Sequence, residues 1–431
     1  MTSHADRISA LPEHLRDALR KRLAGRLPVD PAGADAITRA DRNGPLPLSF
    51  SQRRLWFLSE FQPDETEYNS AFALRLTGEL NVPALADALR ELARRHESMR
   101  TTFDEVDGEG VQVVHATVDL PLPVVHCGAD ELDQVLRAEF GRPFDIRRGP
   151  LFRALLARVS PVEHVLLLSS HHIVVDGWSM GVLAEELSAR YAGQDLPDPS
   201  LQYADFAVWQ RAQDLDGHLE YWRRQLSGIP PLELPTDRPR PAVRTSAGAM
   251  HEFVVPPELT AKLNALARTG ETTLFTVLLA ACKVLFARYA GQDDIAVGTV
   301  TSGRARQELH RLVGFFVNTV VVRSSVDTAR SFSDLLSDVR DTVLDAVGHD
   351  DVPFDRLVRA ERDMSRNPLF DVMMLLQNAD RDLPEFPGLA VAEVGLPRWA
   401  ANFDLTVEFR ERDGAIAGVL EYNTDLFDAG T

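Results

Sequence analysis

Apolar and polar positions change period several times along this chain, and the changes mark elements. Val165 to Leu168 is an unbroken apolar run that predicts a buried strand. Alternation through Ala71-Phe72-Ala73-Leu74-Arg75-Leu76 predicts another strand, and Asn81-Val82-Pro83 then predicts a helix running to His96, with Asn81 as cap and Pro83 in the first turn. Beyond the apolar run, Val182, Leu183, Leu187 and Tyr191 mark one face of a helix that begins near Ser179 and stops at Gly193. Asp176-Gly177 therefore reads as a strand-to-helix turn. Further on, the pattern predicts helices near Glu258 to Ala267 and Thr273 to Tyr289, strands at Asp294 to Thr301 and Val317 to Val322, and a closing strand pair between Leu405 and Tyr422. Pro230, Pro231, Pro235, Pro239 and Pro241 deny regular structure between Leu226 and Met250.

Two α/β halves of similar size follow from this grammar, with boundaries at 46–228 and 229–431. Residues 1–45 stand apart. Ile8, Leu11, Leu15, Leu19 and Leu23 recur at helical spacing between basic residues, and a Pro- and Gly-rich stretch reads as a linker up to residue 45. The spacing suits a helix packed on the domain surface and equally a docking element for another polypeptide.

Composition narrows the class. With 431 residues, 45% of them hydrophobic and 26% charged, the chain has core enough for two domains. A net charge of -18 repels a phosphate backbone unless a local basic patch intervenes, so no nucleic-acid role is expected. Cys127 and Cys282 lie far apart, which suggests neither a disulfide framework nor a thiolate metal site. The first residues lack the basic and apolar regions of a signal peptide, and no apolar run approaches about 20 residues. A soluble, cytoplasmic, monomeric protein without membrane contact is expected.

Most chemical information sits in His171-His172-Ile173-Val174-Val175-Asp176-Gly177, followed by Trp178 and Ser179. Adjacent strand residues face opposite ways, so the two histidines are expected to divide, one toward a cavity and one into the interior. That argues against a two-His metal site, and none is expected. Gly177-Trp178-Ser179-Met180-Gly181 also satisfies the G-x-S-x-G pattern of a hydrolase nucleophile elbow. No His-Gly-Gly oxyanion segment precedes it, and a serine at a helix start is often simply a cap.

Six further motifs accompany this one in order: Leu48-Ser49-Phe50-Ser51-Gln52-Arg53-Arg54-Leu55-Trp56-Phe57-Leu58, Arg95 to Phe103, Tyr203 to Trp209, Val313 to Thr319 with Arg323, His349-Asp350-Asp351-Val352-Pro353-Phe354-Asp355, and Arg362 to Leu369. From Leu46 to the C-terminus the chain resembles nonribosomal peptide synthetase condensation domains. The resemblance implies a V-shaped pseudo-dimer of two chloramphenicol-acetyltransferase-like halves with a central tunnel. Donor and acceptor peptidyl carrier proteins would dock at its ends and present thioesters on phosphopantetheine, beside neighbouring domains such as adenylation. The acceptor amine would attack the donor thioester to make a peptide bond, with no cofactor held by the domain itself.

By the same resemblance His172 faces the acceptor amine, as base or positioner, and His171 orients it through an internal hydrogen bond. Asp176 is structural and expected to pair with Arg100; Gly177 permits the turn and brings its N–H to the thioester oxygen. Trp178, Ser179, Asn318 and Arg53 are expected along the tunnel, with Gln52, Arg54 and Trp56 structural around a first strand. An ester-forming relative would use the same residues with a hydroxyl acceptor. A noncatalytic partner-recruiting relative would carry a degraded motif, an epimerization domain a different continuation after the glycine, and a heterocyclization domain an Asp in place of His171. The motif text leans toward L-configured donors, and both chain ends suggest a domain from a longer synthetase.

Overall fold

A computed structural model describes residues 36–61, 66–357, 363–377, 383–396 and 400–431. The helix expected at residues 8–23, and Arg362, lie outside these. In chain order the elements are β1 (Leu46–Pro47), α1 (Phe50–Phe61), β2 (Asn69–Thr77), α2 (Val82–Arg95), β3 (Thr101–Val106), β4 (Glu109–Val114), β5 (Val124–His126), α3 (Leu132–Phe140), β6 (Phe152–Ser160), β7 (Glu163–His171) and α4 (Gly177–Tyr191). They continue with α5 (Tyr203–Arg211), α6 (Asp216–Gln225), β8 (Gly248–Val255), α7 (Pro257–Thr269), α8 (Leu274–Ala290), β9 (Asp294–Thr301), β10 (Asn318–Ser325), α9 (Phe332–Gly348), β11 (Val372–Gln377), β12 (Ala390–Glu393), β13 (Leu405–Arg412) and β14 (Ala415–Asn423).

The fold is mixed α/β with three sheets. One is five-stranded, in the order β12-β2-β7-β6-β5; one is six-stranded, β10-β9-β11-β13-β14-β8; a small one is β1-β4-β3. Strand β7 lies in the middle of the first, which explains its unbroken apolar run: Leu166 and Leu168 pack toward α2 and α4, while Val165 and Leu167 pack toward α3 and Cys127. The second core gathers Ile295, Val297, Val320, Val322, Val372 and Met374 beneath Val277 and Leu279 of α8 and Val339 of α9.

Three exchanges cross the boundary expected at residue 228. Phe50 of α1 and Trp222 of α6 enter the second core, Val313 and Phe386 enter the first, and β12 adds antiparallel to β2 of the first sheet. Another expectation changes near the start. The segment holding Gln52, Arg53, Arg54 and Trp56, expected around a first strand, is itself a helix, α1, that directly follows β1. Residues 36–45, read as linker, are pinned to α5: Ile37 is buried beside Tyr203 and Phe206, and Arg42 pairs with Asp205 at 2.8 Å. Among the described residues no single helix is long and apolar enough to cross a membrane.

Candidate active site

Strand β7 ends at His171, and the next five residues form a tight turn into α4. Val174 N–H donates to the His171 carbonyl at 3.1 Å and Val175 N–H to that of His172 at 3.3 Å. Ile173, Val174 and Val175 are buried in the first core, so the three residues between the histidine pair and Asp-Gly anchor the turn. The histidines do divide, but by the turn and not by strand alternation, because only His171 belongs to the strand.

His171 points inward. Its Nδ1 accepts from Ile173 N–H at 3.1 Å, and Tyr68 and Phe144 flank its ring at 6.4 and 6.3 Å. Burial, helped by the neighbouring His172, pushes its pKa down to about 3, so it stays neutral at working pH. It positions the turn and is not placed to reach substrate.

His172 is half-buried, with its ring 5.7 Å from that of Phe315. Its Nδ1 lies 3.1 Å from the Val175 carbonyl. A carbonyl only accepts, so Nδ1 carries the proton and Nε2 the lone pair of the neutral ring. A base tautomer is thereby fixed by the turn itself.

Asp176 caps α4 and reaches across the molecule. Its Oδ1 accepts from Ser179 N–H at 2.7 Å and from Arg304 Nη2 at 3.1 Å; its Oδ2 accepts from Phe316 N–H at 2.9 Å; its own N–H donates to the Gly314 carbonyl at 3.0 Å. Arg304 and Asp176 are both fully buried. Arg304 also donates to the Leu312 carbonyl at 2.7 Å and lies over the Phe316 ring at 3.9 Å. The partner expected for Asp176 was Arg100. That residue instead turns toward β4 and donates to the His115 carbonyl, and the motif around it reaches the 302–317 loop through Ser98, whose hydroxyl donates to the Val313 carbonyl at 2.6 Å. Arg95 and His96 hold Glu186 of α4, which also meets Arg311 of that loop. Burial alone would raise the Glu186 pKa, but His96 and Arg95 hold it at about 2.

Other sequence-predicted residues fall into different roles. Gly177 is exposed, its φ is not positive, and a Cβ there would meet nothing within 4 Å. The turn therefore does not require glycine, contrary to expectation; what the missing side chain leaves is open space before the first amide of α4. Ser179 does not line a tunnel. It is buried, its hydroxyl donates to the Gly314 carbonyl at 2.9 Å, and it accepts from Arg304 at 2.6 Å and from Gly314 N–H at 3.0 Å. No histidine is among these partners, and the hydroxyl, in the first turn of the helix, is engaged by Arg304 and Gly314, which argues against the hydrolase reading. Trp178 donates from Nε1 to the His310 carbonyl at 2.8 Å. Asn318 donates to the carbonyls of Asp350 and Val352 and accepts from Phe354 N–H, so it clamps a loop. Arg53 is exposed on α1, away from these bonds. Arg323 pairs with Asp294 at 2.6 Å. Among the described residues no group of three His, Cys, Asp or Glu is placed to hold a metal ion.

A family model for the condensation domain matches residues 42–431. The chain belongs to the condensation-domain family. One of the linear gramicidin synthase proteins of Brevibacillus parabrevis is 44% identical over 413 residues, covering 90% of this chain and 8% of that protein. The chain thus spans less than a tenth of that relative's length. The X-domain from teicoplanin biosynthesis superposes with a TM-score of 0.84 at 29% identity, covering 92% of this chain and 93% of that one. A four-domain nonribosomal peptide synthetase bound to AMP and glycine gives 0.81 at 25% identity, over 90% of this chain and 32% of that one. Condensation domains of nonribosomal peptide synthetases catalyse peptide-bond formation, an acyl transfer. Sequence reasoning found the Val313 to Thr319 motif of this condensation domain but missed Arg304 before it; nothing in Gly303-Arg304-Ala305-Arg306 signals Asp176 as a partner.

Proposed function

We propose that this condensation domain joins a carrier-bound acceptor amine to a carrier-bound aminoacyl or peptidyl thioester. The observation that carries the reading is the Nδ1 contact of His172 to the Val175 carbonyl, which makes Nε2 the acceptor nitrogen of the neutral ring in the turn leading into α4. A free α-amino group has a pKa of about 7.7 to 8.0, so much of it is already neutral and no strong base is needed. As the C–N bond forms and the C–S bond breaks, the proton lost by nitrogen passes to the departing thiolate, with His172 accepting or orienting it. The Gly177 N–H, at the positive end of α4, faces the oxygen that gains charge.

The two halves form a V-shaped pseudo-dimer with a tunnel between them, and residues 46–228 and 229–431 contribute one half each. Donor and acceptor carriers deliver their substrates on phosphopantetheine, and an adenylation domain activates them; the domain itself holds no cofactor. The setting is cytoplasmic and the domain monomeric. The test offers the chain a donor-loaded and an acceptor-loaded carrier and reads intact masses. Mass moved from donor to acceptor carrier supports the reading; two unchanged carriers oppose it.

A second reading follows from one neighbour. A solved structure shows the X-domain from teicoplanin biosynthesis in complex with OxyB, so a relative of this fold serves as a binding partner. Here the complete His-His-x-x-x-Asp-Gly motif favours catalysis. An ester-forming relative would differ only in acceptor, and a hydroxyl-bearing acceptor in the same assay separates it.

A further inference from the structure

In a chain of net charge -18, a cluster of cations without counter-charges needs a reason. One such cluster forms where three motifs outside the active site meet. Arg54 of α1 lies over the ring of Phe354, with Cζ 5.3 Å from its centroid. Arg211, at the end of α5, and Arg356, in the 354–356 turn, both lie over Phe50, at 5.0 and 5.4 Å. The two rings are buried, whereas Arg211 and Arg356 are exposed and Arg54 half-buried.

The platform is built by bonds already described or adjoining them. Asn318 sets the 354–356 turn, Gln210 of α5 accepts from Phe50 N–H at 3.1 Å, and Ser49 meets the Tyr203 hydroxyl at 2.7 Å. Its fixation continues toward His172. Tyr203 donates to the Phe315 carbonyl and Gln52 to that of Ile173, so the cluster and the histidine turn share one scaffold.

None of the three arginines pairs with a carboxylate among the described residues. Three acidic groups near them in sequence are directed elsewhere: Asp205 to Arg42, Asp351 toward His218 at 3.9 Å, and Asp214 to the Asp216 amide. Stacking on a ring orders a guanidinium plane and leaves its N–H edges for an outside acceptor. Planar donor forks gathered from three segments match the several oxygens of a phosphate better than a single carboxylate.

We propose that Arg54, Arg211 and Arg356 form a binding site for a phosphate ester, whose source, if the function proposed above holds, is the phosphodiester of a carrier's phosphopantetheine arm. Binding is read without turnover, so its failure is distinct from failure of the peptide-bond reading. Calorimetric titration of the whole chain would compare 4′-phosphopantetheine, pantetheine and inorganic phosphate at low salt, and then apo and holo carrier.

The expected result is at least a tenfold preference for phosphopantetheine over pantetheine, and for holo over apo carrier. Both preferences should vanish when the three arginines become glutamine and persist in part when they become lysine, with unchanged melting temperature in the lysine variant. No preference in the native chain together with no binding of inorganic phosphate, or a full preference surviving in the glutamine variant, overturns the site. Inorganic phosphate binding alone, without preference for the arm, keeps the phosphate site and overturns the carrier as its source.

Discussion

Asp176 and Arg304 lie 128 residues apart in the chain and meet at 3.1 Å with neither side chain exposed. One belongs to the turn that presents His172, the other to the loop between β9 and β10. A buried ion pair is tolerable only when much of its remaining hydrogen-bonding capacity is taken up, and here the Ser179 and Phe316 amides bond the carboxylate while the Leu312 carbonyl accepts from the guanidinium. The placement of His172 is thus tied to contact between its own turn and the loop that joins β9 to β10.

Replacing Arg304 with alanine should therefore destabilise the protein by about 3–5 kcal/mol, because a buried carboxylate is left without its partner. Arg100→Ala, which the sequence would have made equivalent, should cost well under half of that. Denaturant melts of the two variants check the order.

Ser179→Ala should lower stability by about 1–3 kcal/mol, since the Gly314 amide and Arg304 each lose an acceptor. Turnover by the folded fraction should remain close to native. A collapse of turnover in a fully folded variant would restore the nucleophile reading.

Gly177→Ala should leave the melting temperature equal or higher, as its Cβ meets no protein atom and alanine is the better helix former. Its rate should nonetheless fall, on the order of 10²-fold if the methyl displaces the reacting carbonyl by about 1 Å. Gly177→Val should fall further. Parallel thermal melts and kcat/KM values separate the two effects.

His171 makes stability depend on acid in a definite direction. Its folded pKa of about 3 lies below the ordinary value of 6.5, so between these the unfolded chain binds the extra proton. The contribution is complete above pH 6.5 and is lost as pH falls toward 3, at about 1.4 kcal/mol per pH unit. A His171→Gln variant should show a shallower fall in unfolding free energy across that range than the native chain.

Much of this molecule was legible in its sequence, for reasons that particular residues make plain. Asp294 to Thr301 emerged as a strand with the bounds expected, and Asn81 caps α2 through the Ala84 amide as its position before Pro83 implied. Those are local signals. Where the outcome depended on distant packing, local pattern failed. Arg304 answers Asp176 only because the loop between β9 and β10 packs against the start of α4. Phe50 lies in the second core although its neighbours in sequence belong to the first, and α1, with Arg53 and Arg54 among its apolar residues, has too mixed a face to announce a helix. At the site, residue types identified the turn and set His172 apart from His171, but the partners that hold each of them, and the bonds that make Ser179 a support, came only from the geometry.

Everything proposed for the site rests on His172 acting on the amine during carrier-to-carrier transfer. The most direct measurement incubates native chain and His172→Ala with one donor-loaded and one acceptor-loaded carrier and follows the intact acceptor mass over time. The native chain should add the donor acyl mass to the acceptor, and the folded variant should do so about 10²- to 10⁴-fold more slowly. Equal rates from the two proteins would contradict the role given to His172.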